Sequence, residues 1–528
     1  MLSSLKQLVA FRTVSGNARF AGQCNEAAAF LRKLFDGHNA KTELFSSDEA
    51  VNPILYAKFN ASDLSRKRNT VLFYGHYDVV DAEDYAHDEE LESRDPFEMQ
   101  SFNGHLYGRG VTDDKGPVLA ALYAVADLVE NGALNCDVIF LIEGEEESGS
   151  RGFANIVRQN RHVIGEVDWI MLSNSYWLDD CIPCLTYGMR GVVHASITVS
   201  SGLPDRHSGM DGKATLHEPL KDLAVLLGSL VSPDGTQVQI PGFYEKVIPL
   251  KDDEQRRYDA VASTLLPGHP EIKDCRTFTD SLIQRWREPN STIHRIEVPD
   301  STGTVTIPHL ARVDLSLRIV PDQKADDVAA SLKNFIHEIF AKLNSTNEVE
   351  VEITSKADPW LGNPENGIFQ ILDQAITSVW RSPDQSSKYP RLPESQSFDR
   401  ARAVRAPAHA TEAGGDREPA STLTKPAAQS VHKSRSPSHR RGGSILCCEG
   451  SSFTSENMPP ISHPLYIREG GSIPVIKFLE RELDAPAAMF PCGQASDNAH
   501  LPDERIRIRN LYNGREVLKR VFAGLPRG

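Results

Sequence analysis

One pattern constrains this chain more than any other: short apolar runs that each end in a glycine-flanked cluster of His or carboxylates. The run Val71-Leu-Phe-Tyr74 leads into YGHYDVV at 74–80, and CDVIFLI at 136–142 leads into EGEEESGS at 143–150. VDWIML at 167–172 is a third such apolar run, leading into the uncharged SNSYWL. Runs this short and this apolar read as strands buried on both faces. Between the first two lies PVLAALYAVADLVEN, a helix with Pro117 in its first turn and Gly132 past its end. Buried strands joined by helices make a largely parallel α/β sheet. Function in such sheets gathers at the carboxyl ends of the strands, and the charged clusters stand there.

A second unit begins near Val192. VVHASITVS at 192–200 is strand-like and 218–231 is helical. Residues 311–320 alternate strictly, with Val313, Leu315, Leu317 and Ile319 on one face and Arg312, Asp314, Ser316 and Arg318 on the other. A helix over 325–343 and the strand VEVEIT at 349–354 follow. This strand–helix–strand–strand–helix–strand order reads as a small α+β domain inserted in the first. The expected organisation is a main domain over 1–190, resumed at 356–381 and 461–528, with the inserted domain at 191–355. In 382–460 Pro, Ser, Arg, Ala and Gly dominate and apolar periodicity stops, so this stretch reads as a disordered or spurious insertion.

The 528 residues include 72 acidic and 57 basic side chains, a net charge of −15. That balance argues against nucleic acid or an anionic membrane as partner. No run approaches the ~20 apolar residues of a membrane span. The opening MLSSLKQLVAFRTVSG reads as an amphipathic helix rather than a secretory signal. Eight cysteines in so long a chain do not suggest a disulfide scaffold, and a reducing cytoplasm is the expected compartment. Cys181-x-x-Cys184 has no second such pair at ribbon spacing and reads as structural.

The clusters YGHYDVV, GRGVTDDKGP at 108–117, EGEEESGS and SDNAH at 496–500 combine imidazole and carboxylate, a set that suits zinc or a similar divalent ion. His76 and Asp78 are two apart, so in an extended segment they share a face and the carboxylate can orient the imidazole. Asp113 and Asp114 sit in a glycine-flanked turn that can push one carboxylate toward an ion. Glu145, Glu146 and Glu147 are adjacent acids whose mutual repulsion is costly without a cation. Singly, each cluster has an ordinary reading as a hydrogen-bonded His, a solvated turn or an acidic surface. Together, at successive strand ends, they read as a metal site.

These motifs occur in order with TYGMRG (186–191), DRHSG (205–209) and REGGSIP (468–474). On them the sequence resembles the M20 family of metallopeptidases over nearly its whole length except about 382–460. Within the family it is most similar to the dipeptidase branch, particularly the peptidase subunit of the fungal glutathione-degrading complex. The resemblance implies a zinc-peptidase catalytic domain with a mostly parallel sheet and an inserted ferredoxin-like lid that pairs two subunits in a homodimer. It implies two Zn2+ per subunit, with Mn2+ as the alternative. His76 would bind the first ion with Asp78 orienting it, Asp113 would bridge both, and Glu147 and His500 would bind the second. Glu146 would be the general base, acting on a metal-bridged water that attacks the amide of a short peptide. His207 would reach the neighbouring subunit's site and bind the oxyanion. Arg318 would hold the substrate carboxylate, with Gly471 and Ser472 lining the pocket.

Two positions depart from the family pattern. Asn174 stands where an acid is the last ligand to the first metal, so that site is expected to bind weakly, take another ion or be lost. Ser355 stands five residues before Trp360, where dipeptidases of this type often place a substrate-contacting His. Three readings follow. The first is a cytoplasmic di- or tripeptidase, acting on glutathione or Cys-Gly. The second is a weakly active or non-catalytic scaffold whose glutamine-amidotransferase-like partner does the cleavage. The third is an N-acyl-amino-acid amidohydrolase, which Arg318 fits equally well.

Overall fold

The computed structural model describes residues 1–46, 52–63, 65, 68–82, 95–213, 216–268, 272, 274–298, 305–380 and 463–525. The stretch 382–460, read above as an insertion, lies outside the described residues. Among them, nine strands form one sheet in the order Lys41–Phe45, Ile54–Phe59, Asp137–Glu143, Thr70–His76, Trp169–Leu172, Ala487–Met489, Cys184–Met189 and Trp360–Leu361, with Leu465–Glu469 also paired to Cys184–Met189. The central pairs are parallel. Asp137–Glu143 is buried along its whole length, as a strand covered on both faces must be. The flank made by strands 41–45 and 54–59 is antiparallel, the two being joined by too short a connection for a crossover helix, while at the other flank Cys184–Met189 pairs antiparallel with Trp360–Leu361 and parallel with Leu465–Glu469.

The helix Lys115–Glu130 starts two residues before Pro117 and packs against Ile508–Gly524 and the strand Thr70–His76. Gly75 lets it come this close: a Cβ there would stand 2.5 Å from Val118 Cγ2 and 2.7 Å from Asp114 Oδ2. At the helix start, the buried Lys115 Nζ donates to the carbonyls of Leu8 at 3.1 Å and Phe11 at 3.0 Å. These bonds tie the first helix, Leu2–Ala10, to the loop that carries Asp113.

The second sheet runs Asn290–Glu297, Leu310–Ile319, Gly191–Ser200, Glu348–Ala357, antiparallel throughout, which is the ferredoxin-like order. Val313, Leu315, Leu317 and Ile319 point with Val193 and Ile197 into a separate core, closed by the helices Pro219–Leu230 and Ala325–Leu343. Two helices within 191–355, Asp252–Leu265 and Cys275–Arg287, do not join this core. Their apolar faces, Tyr258, Val261 and Leu265 with Phe278, Leu282 and Trp286, pack into the larger core beside Leu465–Glu469. Periodicity gives a helix its apolar face but not the sheet that face will meet. Among the described residues no helix is long and apolar enough to cross a membrane, and the described cysteines form no disulfide.

Candidate active site

Two strand ends and two turns deliver their side chains to one place: His76 and the Glu146–Glu147 loop from the sheet, Asp113 from the turn before Lys115–Glu130, and His500 from a turn near the chain's end. His76 Nε2 lies 3.1 Å from Asp113 Oδ1, and His500 Nε2 lies 3.1 Å from both Asp113 Oδ2 and Glu147 Oε1. Two triplets, His76 with Glu146 and Glu147 and Asp113 with Glu147 and His500, each hold their ligand atoms within 4.8 Å of one another. Glu147 belongs to both. His76 and Asp78 are fully buried, whereas half of the His500 side chain is exposed, so the cluster opens on that side.

Backbone hydrogen bonds hold this arrangement. Asp78 accepts the N–H groups of Glu146 at 3.2 Å and Glu147 at 3.0 Å, fixing the acidic loop after the strand Asp137–Glu143. Its own carbonyl lies 3.1 Å from His76 Nδ1, which orients the ring so that Nε2 faces Asp113. Gly144 is required in this loop, since a Cβ would stand 2.3 Å from the Tyr77 ring. The loop carrying Asp113 is gripped by the buried Glu504, which takes Arg109 Nη1 and Gly110 N at 2.9 Å, Thr112 N at 3.1 Å and Asp113 N at 3.3 Å. Thr112 Oγ1 donates to Asp497 Oδ2 at 3.0 Å, linking this loop to the one that ends in His500. The Asp113–Asp114 peptide is cis.

The electrostatics fit a cation. Burial raises the Glu146 carboxyl; His76 opposes this, but Glu147 and Asp113 add to it and the group ends well above its ordinary range. Glu147 is likewise raised by burial, against the bond from His500. Burial disfavours charge on His76 and His500, yet the surrounding carboxylates win: His76 is raised well above its ordinary value and His500 to about 11. The pocket therefore resists ionisation of its acids and favours protonation of its imidazoles, the signature of a site short of positive charge. Two imidazoles and three carboxylates form a nitrogen–oxygen donor set that suits zinc or manganese. Asn174 is turned otherwise. Its Oδ1 accepts the N–H of Ser175, and its Nδ2, a donor, lies 3.1 Å from His76 Nε2 and 3.2 Å from Asp113 Oδ1.

The remaining residues named from sequence gather elsewhere. Arg318, from the polar face of Leu310–Ile319, donates to Ser472 Oγ at 3.1 Å, and Ser472 Oγ donates to the Arg190 carbonyl. Gly471 is exposed beside Met189. His207 is exposed at the end of its strand, where Nδ1 accepts the Gly209 N–H at 3.2 Å; none of its recorded bonds is to the acidic cluster. Ser355 pairs with His194 in the small sheet. Sequence reading missed Tyr176, whose hydroxyl donates to Asp113 Oδ2 at 3.0 Å, although SNSYWL placed it beside Asn174. It also missed Arg190, which approaches the Gly470 carbonyl at 3.3 Å and whose burial, with Arg318 nearby, lowers its pKa to about 10. Glu504 carried no local signal, because its partners lie 391 to 395 residues away.

Residues 72–411 match the profile of Peptidase family M20/M25/M40. A probable di- and tripeptidase, DUG2 of Saccharomyces cerevisiae, is 32% identical over 99% of this chain and 50% of its own, so the chain spans half the length of that relative. The Cys-Gly metallodipeptidase dug1 of Schizosaccharomyces pombe is 30% identical over 97% of this chain and 93% of its own. The crystal structure of human carnosine dipeptidase 1 superposes with a TM-score of 0.69 at 26% identity, covering 99% of this chain and 96% of that one. The family match and the identity carried across nearly the whole chain agree with the motifs at the strand ends: this protein belongs to peptidase family M20/M25/M40.

Proposed function

We propose that this chain hydrolyses the amide bond of di- or tripeptides, with Cys-Gly and glutathione as the first substrates to test. The observation that carries the reading is Glu147, shared by two triplets of candidate ligands, with Glu146 a member of the one that includes His76. His76, Asp113, Glu147 and His500 would hold up to two ions, zinc or manganese. A divalent ion there would supply Lewis-acid polarisation of the scissile carbonyl and a more acidic water. Glu146 takes the proton of the attacking water and returns it to the leaving amine. Asp78 keeps both His76 and the Glu146–Glu147 backbone in place while charge moves. Arg318 and Ser472 receive the C-terminal carboxylate of the peptide, with Gly471 leaving the approach open. His207, distant in its bonding from the cluster of its own subunit, serves the site of a second subunit in a homodimer. In this reading the small sheet is the lid and dimerisation unit, and the enzyme works in the cytoplasm.

The test is turnover of Cys-Gly and glutathione by the purified chain with zinc or manganese, together with the Glu146→Gln variant. Hydrolysis that vanishes in the variant supports the reading. Absence of hydrolysis under all metal conditions overturns it.

One observation favours a second reading. Asn174 turns an amide donor toward His76 and Asp113 and brings no negative charge. The first metal would then be held weakly, and the chain would act as a scaffold for a glutamine-amidotransferase-like subunit that performs the cleavage. Asn174→Asp separates the two readings: a gain in bound metal and in turnover supports a weakened first site, and no change in either rejects it.

A further inference from the structure

We propose that a cavity at the junction of the two sheets, separate from the acidic cluster, binds a small organic carboxylate. It has a volume of about 330 Å³, within the range of small-molecule pockets. Its walls are the connections between the sheets. Val320 follows the small-sheet strand Leu310–Ile319, Leu361 ends the short strand Trp360–Leu361, and Ile248 precedes the helix Asp252–Leu265. None of the candidate metal ligands lines it.

The charge of this lining is opposite to that of the protein. Among the lining residues, Lys251, Arg257, Arg287 and Arg468 outnumber Asp253 and Glu254 by two in a chain of net charge −15, and Glu365, outside the lining, lies 4.0 Å from Arg257 Nη1. Two of the arginines share one carboxylate: Arg468 Nη1 donates to Glu254 Oε1 at 2.7 Å, and Arg287 Nε lies 3.2 Å from Glu254 Oε2. Tyr258 donates to the same Oε1 at 2.8 Å. Arg468 is 2% exposed and Arg287 9%, so solvent does little to compensate the guanidinium charge that Glu254 leaves unbalanced. Arg257 is held by Asp253 at 2.6 Å and lies 5.2 Å from the Tyr187 ring. The 14-residue helix Asp252–Leu265 begins at the same cavity, with Asp252, Asp253 and Glu254 in its first turn already set against its positive end. A carboxylate balances the excess charge through the arginines, and the apolar wall of Ile248, Val320 and Leu361 takes the carbon body. A body of that kind distinguishes the expected ligand from an inorganic anion.

Calorimetric titration of the full chain with isovalerate and, separately, inorganic phosphate, at constant ionic strength, tests the proposal. Isovalerate binds saturably at one site, and the Asp113→Asn and Arg318→Gln variants bind it equally, which separates this site from the acidic cluster and from Arg318 whatever the fate of the peptidase reading. Arg257→Gln weakens binding about tenfold or more. Leu361→Trp, which fills the cavity and removes no charge, abolishes binding and stands as an independent check should Arg257→Gln fail to fold. Phosphate binding without isovalerate binding overturns the organic class. Absence of saturable binding by either probe, or isovalerate binding indifferent to Leu361→Trp, overturns the site.

Discussion

The two sheets carry their polar chemistry in opposite ways. On the large sheet the charged groups are buried and their backbones are clamped: Asp78 holds two N–H groups of the acidic loop, and Glu504 holds three of the loop bearing Asp113. On the small sheet the polar face is open. Arg295 is 59% exposed where it meets Asp314, against 3% for Arg109 where it meets Glu504. A buried charge network fixes its geometry before any substrate arrives and is expensive to disturb. An open polar face contributes little stability and can move to meet a ligand. Under the proposed function, the contrast suits bond-breaking at the large sheet and substrate capture by the small one.

The largest expected effect tests the first half of this division. Glu146→Gln lowers turnover of Cys-Gly by about a thousandfold, the scale of general-base catalysis, with bound zinc and thermal midpoint unchanged. A loss below about tenfold removes Glu146 from that role. Next comes the clamp itself. Glu504→Gln costs about 3–5 kcal/mol in a denaturant titration, because Arg109 loses its buried counter-charge. The matching substitution on the small sheet, Arg295→Gln, costs about 0.5 kcal/mol or less. Equal costs at the two positions break the contrast.

Smaller effects sharpen it. Arg318→Lys keeps the charge and loses the planar fork, so KM rises about tenfold while kcat changes little. A fall in kcat with constant KM places Arg318 in bond-breaking instead. The smallest effect is a pH dependence. The Ser196 hydroxyl, then Arg295 and Arg312, hold the Asp314 carboxyl down to about 2 against slight burial. Its stabilisation is complete above the ordinary carboxylate value of about 4 and is lost as pH falls toward 2. The stability difference between the wild type and Asp314→Asn therefore narrows over that interval, and a constant difference contradicts the assignment.

Much of the cluster was legible because each strand announces its own end. His76, Glu146 and Glu147 stand beside glycines just after apolar runs, and buried parallel strands bring such ends together, while Asp113 stands in the glycine-flanked turn that opens the helix Lys115–Glu130. The ferredoxin-like sheet was legible for a similar reason: strict alternation over 311–320 states which side of the strand is core. Pairings across hundreds of residues were not. Glu504 looks like any surface acid in PDER until the fold sets it against Arg109, and the helices Asp252–Leu265 and Cys275–Arg287 show an apolar face without naming the core they enter. The antiparallel flank was hidden too, since strands 41–45 and 54–59 differ from central ones by their short connection rather than by their composition.

Diffraction from zinc-soaked crystals, collected on both sides of the zinc absorption edge, tests whether these side chains hold the ion. An anomalous peak is expected among Asp113, Glu147 and His500, with a weaker peak or none beside His76 and Asn174. Crystals saturated with zinc that show no peak among those three side chains would contradict it.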